Sequence, residues 1–127
     1  MLVSSRELPF RGGCYAQAIC VPAEGLFPLP DAVAPNDAAS LPNYQLAGAL
    51  LYESGVRKPR SIVAYGASGG VGIALLQLAN SDGIEGIGIV STEEKRAYSR
   101  QAGAEHVLIR GKDDLRERVM ALTAGRG

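Results

Sequence analysis

Apolar positions in the second half of the chain fall into short unbroken runs separated by longer amphipathic stretches. "SIVAY" (61–65), "EGIGIV" (85–90) and "HVLI" (106–109) show no regular polar alternation. That is the pattern of strands covered on both faces in a parallel sheet. Each is followed by a helical pattern. "GVGIALLQLANSDG" is closed by Gly83. "STEEKRAYSRQAG" has Ser91 or Thr92 as its N-cap, Glu93 and Glu94 in its first turn and Gly103 at its end. "DDLRERVMALTAG" is capped by Asp113, presents Leu115, Val119 and Leu122 as a buried stripe and ends at Gly125. Three strand–helix pairs predict the first half of a doubly wound parallel α/β sheet. Right-handed crossovers set the strands in spatial order 3-2-1, with the first strand at an open edge that is prone to self-association.

The first part of the chain has a different texture. "GGCYAQAICVP" (12–22) predicts a strand with small residues on one face. In "AEGLFPLPDAVAP", Pro28, Pro30 and Pro35 forbid regular structure through most of the segment, so it reads as a connector. A helical pattern follows, with a break or kink at Pro42, Leu46, Leu50 and Leu51 on one expected face and Gly55 as the stop. The division is therefore residues 1–34, then 35–127.

Composition narrows the function classes. The 127 residues carry 13 basic and 13 acidic side chains, which argues against a nucleic-acid footprint. No window resembles a membrane span or a signal peptide. Cys14 and Cys20 are too widely spaced, and His106 too isolated, for a zinc site. The two thiols are expected to be buried or in an edge strand, and a reducing cytoplasm is the default location.

Candidate chemistry sits between the first strand and its helix. Gly66, Ala67, Ser68, Gly69, Gly70, Val71 and Gly72 form a turn with glycines at three-residue spacing. The early glycines permit torsions that a Cβ forbids and let phosphates approach the backbone. Gly72 lets the helix pack closely, and the helix N-terminus offers amides and a dipole to a pyrophosphate. Ser68 stands where the dinucleotide fingerprint G-x-G-x-x-G has its second glycine, and glycine turns also serve packing alone. Placement inside a βαβ unit favours the dinucleotide.

The end of the second strand carries the second specificity element. NAD sites place an acid there, about 20 residues beyond the turn, against the ribose hydroxyls. Ser91 at this tip leaves room for a 2′-phosphate, with Lys95 and Arg96 one turn on and Arg110 just past strand three. Glu93 is the residue that could instead serve NAD. The competing interpretation makes Lys95 and Arg96 a solvated helix face partnered with Glu93 and Glu94.

At these residues the chain resembles a medium-chain dehydrogenase/reductase, in the zinc-independent quinone oxidoreductase branch. The matching stretches are "GGCYAQAICVPAEGLFPLPD", "AASLPNYQLAGALLYESG", "GASGGVGIALLQLA", "STEEKRAYSRQAGAEHVL" and "LTAGRG". The resemblance implies a GroES-like catalytic domain, of which residues 1–34 are the C-terminal edge with its last strand. A linking helix and a partial Rossmann domain occupy residues 35–127. It implies an internal fragment of a cytoplasmic homodimer that uses NADP(H), needs no metal and reduces a small quinone or enone. Gly66 to Gly72 match the pyrophosphate turn, Ser91 and Lys95 match positions that select NADPH, and Arg110 occupies a position near the 2′-phosphate. Ala47 stands where members of the family often have a threonine close to the nicotinamide. Asn43 and Tyr44 are polar but are expected to pack and cap a helix start, and no catalytic residue is assigned. Two alternatives are a nucleotide-binding fragment without catalysis and a piece of a polyketide or fatty-acid synthase enoyl-reductase domain.

Overall fold

The computed structural model describes residues 1–3, 14–56 and 59–126. The chain divides into two compact units, Met1–Leu41 and Pro42–Gly127.

In the first unit, β1 (Leu2–Val3) pairs antiparallel with β2 (Leu26–Phe27), just after a 3-10 turn over Ala23–Gly25. The proline-rich segment that follows is irregular up to α1 (Pro35–Ala38), which starts on its proline. The strand expected over 12–22 does not form in its described part, 14–22. A lone strand leaves its backbone groups unpaired, and no described strand lies beside this segment to take them. Cys14 and Cys20, expected to be buried or in an edge strand, are accordingly exposed and outside any strand.

The second unit is built on a three-stranded parallel sheet: β3 (Ser61–Tyr65), β4 (Glu85–Val90) and β5 (His106–Ile109) in the order β3-β4-β5. This is the expected first half of a Rossmann sheet, with β3 at the edge. Helices α2 (Leu41–Tyr52), α3 (Gly70–Ser81), α4 (Arg96–Gln101) and α5 (Leu115–Leu122) complete it. The strand period of two sorts side chains onto two faces. Ala64, Val90, Val107 and Ile109 meet Leu76 of α3 and Ala102 just past α4, whereas Ile87, Ile89 and Leu108 meet Leu115, Val119 and Leu122 of α5. The α5 stripe is thus formed by the expected residues, although the three are only partly buried rather than buried. β3 is not covered on both faces: Val63 and Tyr65 are 43% and 62% exposed, because α5 reaches only β4 and β5.

Glycines at 86 and 88 in β4 let α3 and α4 close on the sheet. An added Cβ at Gly86 would lie 2.8 Å from Leu76 Cδ2, and one at Gly88 3.0 Å from Ala67 Cβ and 3.4 Å from Ser99 Cβ.

Several local expectations shift. The buried residues of α2 are Ala47 and Leu51, while Leu46 and Leu50 are about half exposed. Tyrosines set this rotation: Tyr44 donates to Gln77 Oε1 and Tyr52 to Asp82 Oδ2, turning the small-residue side of α2 inward. The helix expected from Ser91 divides into a 3-10 turn, Glu93–Lys95, and α4; Thr92 is the N-cap by position but makes no side-chain cap bond. Asp114, not Asp113, caps α5 by accepting from Glu117 N at 3.0 Å. Asp113 instead accepts from Ile109 N at 2.6 Å, fastening the end of β5. His106 begins β5, its Nε2 3.6 Å from Glu85 Oε1.

Two predictions follow from this packing. Ser99 is fully buried and its hydroxyl has no hydrogen-bond partner among the described residues. Ser99→Ala should therefore stabilise the chain by about 1 kcal/mol in urea unfolding, and an unchanged midpoint would mean that the hydroxyl is satisfied. The Tyr52 phenol is pushed above its ordinary value of 10.0 by the hydrogen bond to Asp82, with smaller contributions from desolvation and from the carboxylate's charge. The native state holds this proton more tightly. The contribution of the bond is therefore present below pH 10.0 and lost as pH rises through the raised value. NMR of the Tyr52 ring should show it titrating above 10.0, and Asp82→Asn should lower that midpoint.

Candidate cofactor-binding site

After Tyr65 the backbone turns sharply at Gly66, where φ is +73°, a region costly for residues with a Cβ. The N–H groups of Gly66 and Ala67 both donate to the Ile89 carbonyl, at 3.0 and 3.1 Å, so the turn is fastened to the end of β4. Gly69 N then donates to Gly66 O at 2.9 Å, and Ile73 N to Gly69 O at 2.8 Å, starting α3. Gly69 is the N-cap and no side chain caps the helix. The amides of Gly70, Val71 and Gly72 belong to the first turn and have no intrahelical acceptor. Three convergent donors at the positive end of a twelve-residue helix suit a diphosphate.

The approach of α3 to this turn depends on Gly72. A Cβ there would lie 2.6 Å from Gly66 O and 2.8 Å from Ala67 Cα, both backbone atoms. Gly70 serves a different neighbour, since its Cβ would meet Asn43 Nδ2 at 2.5 Å. Asn43 of α2 therefore lies against the helix start, and Tyr44 reaches Gln77 two turns further along the same face of α3. The packing role expected of these two residues is the observed one. That Asn43 borders the phosphate turn itself was not read from the sequence, where its only signal was a cap-type residue beside a helical pattern. The Ile89 carbonyl had no signal at all, because it is a backbone group.

Strand register brings the second cluster to the same edge. Tyr65 pairs with Ile89 and Val90 with Ile109, so Gly66, Ser91 and Arg110 follow the strand tips side by side. Arg110 N donates to Val90 O at 2.8 Å, and its side chain is exposed. Lys95 Nζ donates to Ser91 Oγ at 3.1 Å, folding the ammonium back over the tip of β4. Arg96 instead pairs with Glu93, Nε to Oε1 at 2.7 Å. The two cations thus take different partners, Lys95 at the tip of β4 and Arg96 on Glu93.

On the other side of the turn, a cleft of about 590 Å³ opens along β3. Leu50, Val63, Tyr65 and Leu75 line it, together with Gly66 and Gly69 to Gly72. The turn therefore lies between the edge that carries Lys95 and Arg110 and an apolar recess lined by Leu50, Val63, Tyr65 and Leu75. Among the described residues no group of three or more His, Cys, Asp or Glu side chains is placed to hold a metal ion.

Sheet order, glycine turn and bare helix start define the first half of a dinucleotide-binding domain. The family described as zinc-binding dehydrogenase matches residues 70–127. Mouse (Mus musculus) quinone oxidoreductase is 32% identical over 97 residues, covering 75% of this chain and 29% of that protein. The 2-haloacrylate reductase of a Burkholderia species is 32% identical over 119 residues, covering 91% of this chain and 36% of that protein. The structure of Escherichia coli quinone oxidoreductase complexed with NADPH superposes with a TM-score of 0.72 at 32% identity, covering 81% of this chain and 32% of that one. The chain belongs to the medium-chain dehydrogenase/reductase superfamily and is quinone oxidoreductase-like. It spans about a third of the length of these two curated relatives.

Gly72→Ala should separate packing from simple loss of flexibility. The added methyl meets backbone on two sides, so we expect a destabilisation of roughly 1–3 kcal/mol and loss of nucleotide binding. Gly83→Ala is the comparison: its φ is +70° but nothing lies near its Cβ, so it should cost stability while leaving nucleotide affinity intact. Thermal melting and calorimetry on both variants check this.

Proposed function

We propose that this chain supplies the cofactor-binding half of an NADPH-dependent oxidoreductase acting on a quinone or an electron-poor alkene. The observation that carries the proposal is Lys95 drawn onto Ser91 beside the uncapped start of α3. One element holds a pyrophosphate, and the other offers a small hydroxyl and an ammonium where the adenosine ribose of a bound dinucleotide ends.

In this reading the amides of Gly70, Val71 and Gly72 bind the pyrophosphate, with Gly66, Ala67, Ser68 and Gly69 forming the close wall of the turn. Ser91, Lys95 and Arg110 bind the 2′-phosphate, for which charge-assisted hydrogen bonds are the strong contacts. The apolar cleft along β3 receives the nicotinamide end. When bound, NADPH supplies a hydride. The residues of this chain orient the cofactor and keep water from one face of the ring. The substrate named for the mouse relative is a quinone and for the Burkholderia relative a haloacrylate, both electron-poor acceptors. A common hydride acceptor chemistry follows from that pair.

The same proposal assigns residues 1–34 to the edge of a GroES-like catalytic domain and residues 35–127 to the linking helix and the Rossmann half. It includes a homodimeric whole protein in the cytoplasm that needs no zinc. Among the described residues no helix is long and apolar enough to cross a membrane.

Calorimetry with 2′-phospho-ADP-ribose and ADP-ribose tests the cofactor assignment. The phosphorylated ligand should bind more tightly. Lys95→Glu should reduce that advantage by at least about tenfold, and Arg110→Ala by somewhat less. Equal affinities that neither substitution changes would remove the NADPH preference.

A further inference from the structure

The acidic residue near the end of β4 is Glu93, the side chain that could have accepted ribose hydroxyls. Both of its oxygens face one guanidinium: Arg96 Nε lies 2.7 Å from Oε1, and Arg96 Nη2 donates to Oε2 at 3.4 Å. Only Nη2 makes a hydrogen bond, while Nε lies close to Oε1 as an ion pair without an aligned N–H, and together the contacts draw the carboxylate toward Arg96. The Arg96 side chain is only 32% exposed, and the Glu93 side chain 60%. The more enclosed partner therefore anchors the freer one. Meanwhile Lys95, between them in sequence, points the other way to Ser91.

We propose that Arg96 is a positioning residue for nucleotide choice, holding Glu93 away from the ribose site so that Ser91 and Lys95 present an uncompensated positive charge. The inference rests on the reading of Ser91 and Lys95 as a 2′-phosphate site and adds a residue that never touches the nucleotide. Released from Arg96, Glu93 sits within two residues of both Ser91 and Lys95 in sequence. From there it can repel a 2′-phosphate, neutralise Lys95 or accept the two hydroxyls of an unphosphorylated ribose.

The test measures the ratio of affinities for 2′-phospho-ADP-ribose and ADP-ribose by calorimetry in the whole chain. Four proteins are compared: wild type, Arg96→Ala, Glu93→Gln and the double variant. Arg96→Ala should lower the ratio about fivefold, the scale of a partly exposed ion pair. Glu93→Gln should leave the ratio at or above that of wild type, and the double variant should return to the Glu93→Gln value. That rescue separates the proposal from direct contact between Arg96 and the phosphate, under which the double variant would stay as low as the single one. It also excludes misfolding, which the second substitution would not repair. An unchanged ratio in Arg96→Ala, or a double variant without rescue, overturns the inference while leaving the phosphate site intact. A wild-type chain with no preference between the ligands overturns the phosphate site, and this inference with it.

Discussion

The contact between α3 and the turn over residues 66–69 governs the rest of the second unit. Gly72 allows backbone to meet backbone where one methyl would lie 2.6 Å from a carbonyl oxygen. With that approach made, the axis of α3 is fixed, its first-turn amides open at the sheet's C-terminal edge, and Leu76 seats over Gly86. The Ile89 carbonyl, accepting twice, ties the same turn to the central strand. Geometry at the phosphate end is therefore not a loop property: it follows from how near a helix can come to a strand.

Sheet order, helix order and the glycine turn were legible because each has a local cause. Buried parallel strands show unbroken apolar runs, and Gly66 announces its positive φ by being glycine. What the sequence could not reveal depended on partners. The segment 14–22 has the composition of a strand, but pairing is a property of two segments and no described neighbour offers an edge. The face of α2 was misassigned for a related reason: counting leucines locates the most apolar side, whereas two tyrosine hydroxyls decide which side is held against α3.

The cationic cluster shows the same limit at finer scale. Residues 93 to 96 read "EEKR", a string compatible with a salt-bridged helix face or with a phosphate site. Arg96 takes the first course by pairing with Glu93, whereas Lys95 donates to Ser91, the contact on which the proposed 2′-phosphate site rests. A 3-10 turn ahead of α4 changes the angular spacing of these residues from that of a continuous helix. Lys95 reaches back four residues to Ser91 and Arg96 three residues to Glu93, partners between which the string alone does not choose.

The bare centre of β4 carries a consequence for how this chain can change. Gly88 faces Ala67 and Ser99 at contact distance, so the three positions share one fixed volume. A methyl gained at 88 must be surrendered at 67 or 99, and the first change alone pushes a helix off the sheet. Variation here should therefore arrive in compensating pairs, leaving a correlated signature among descendants.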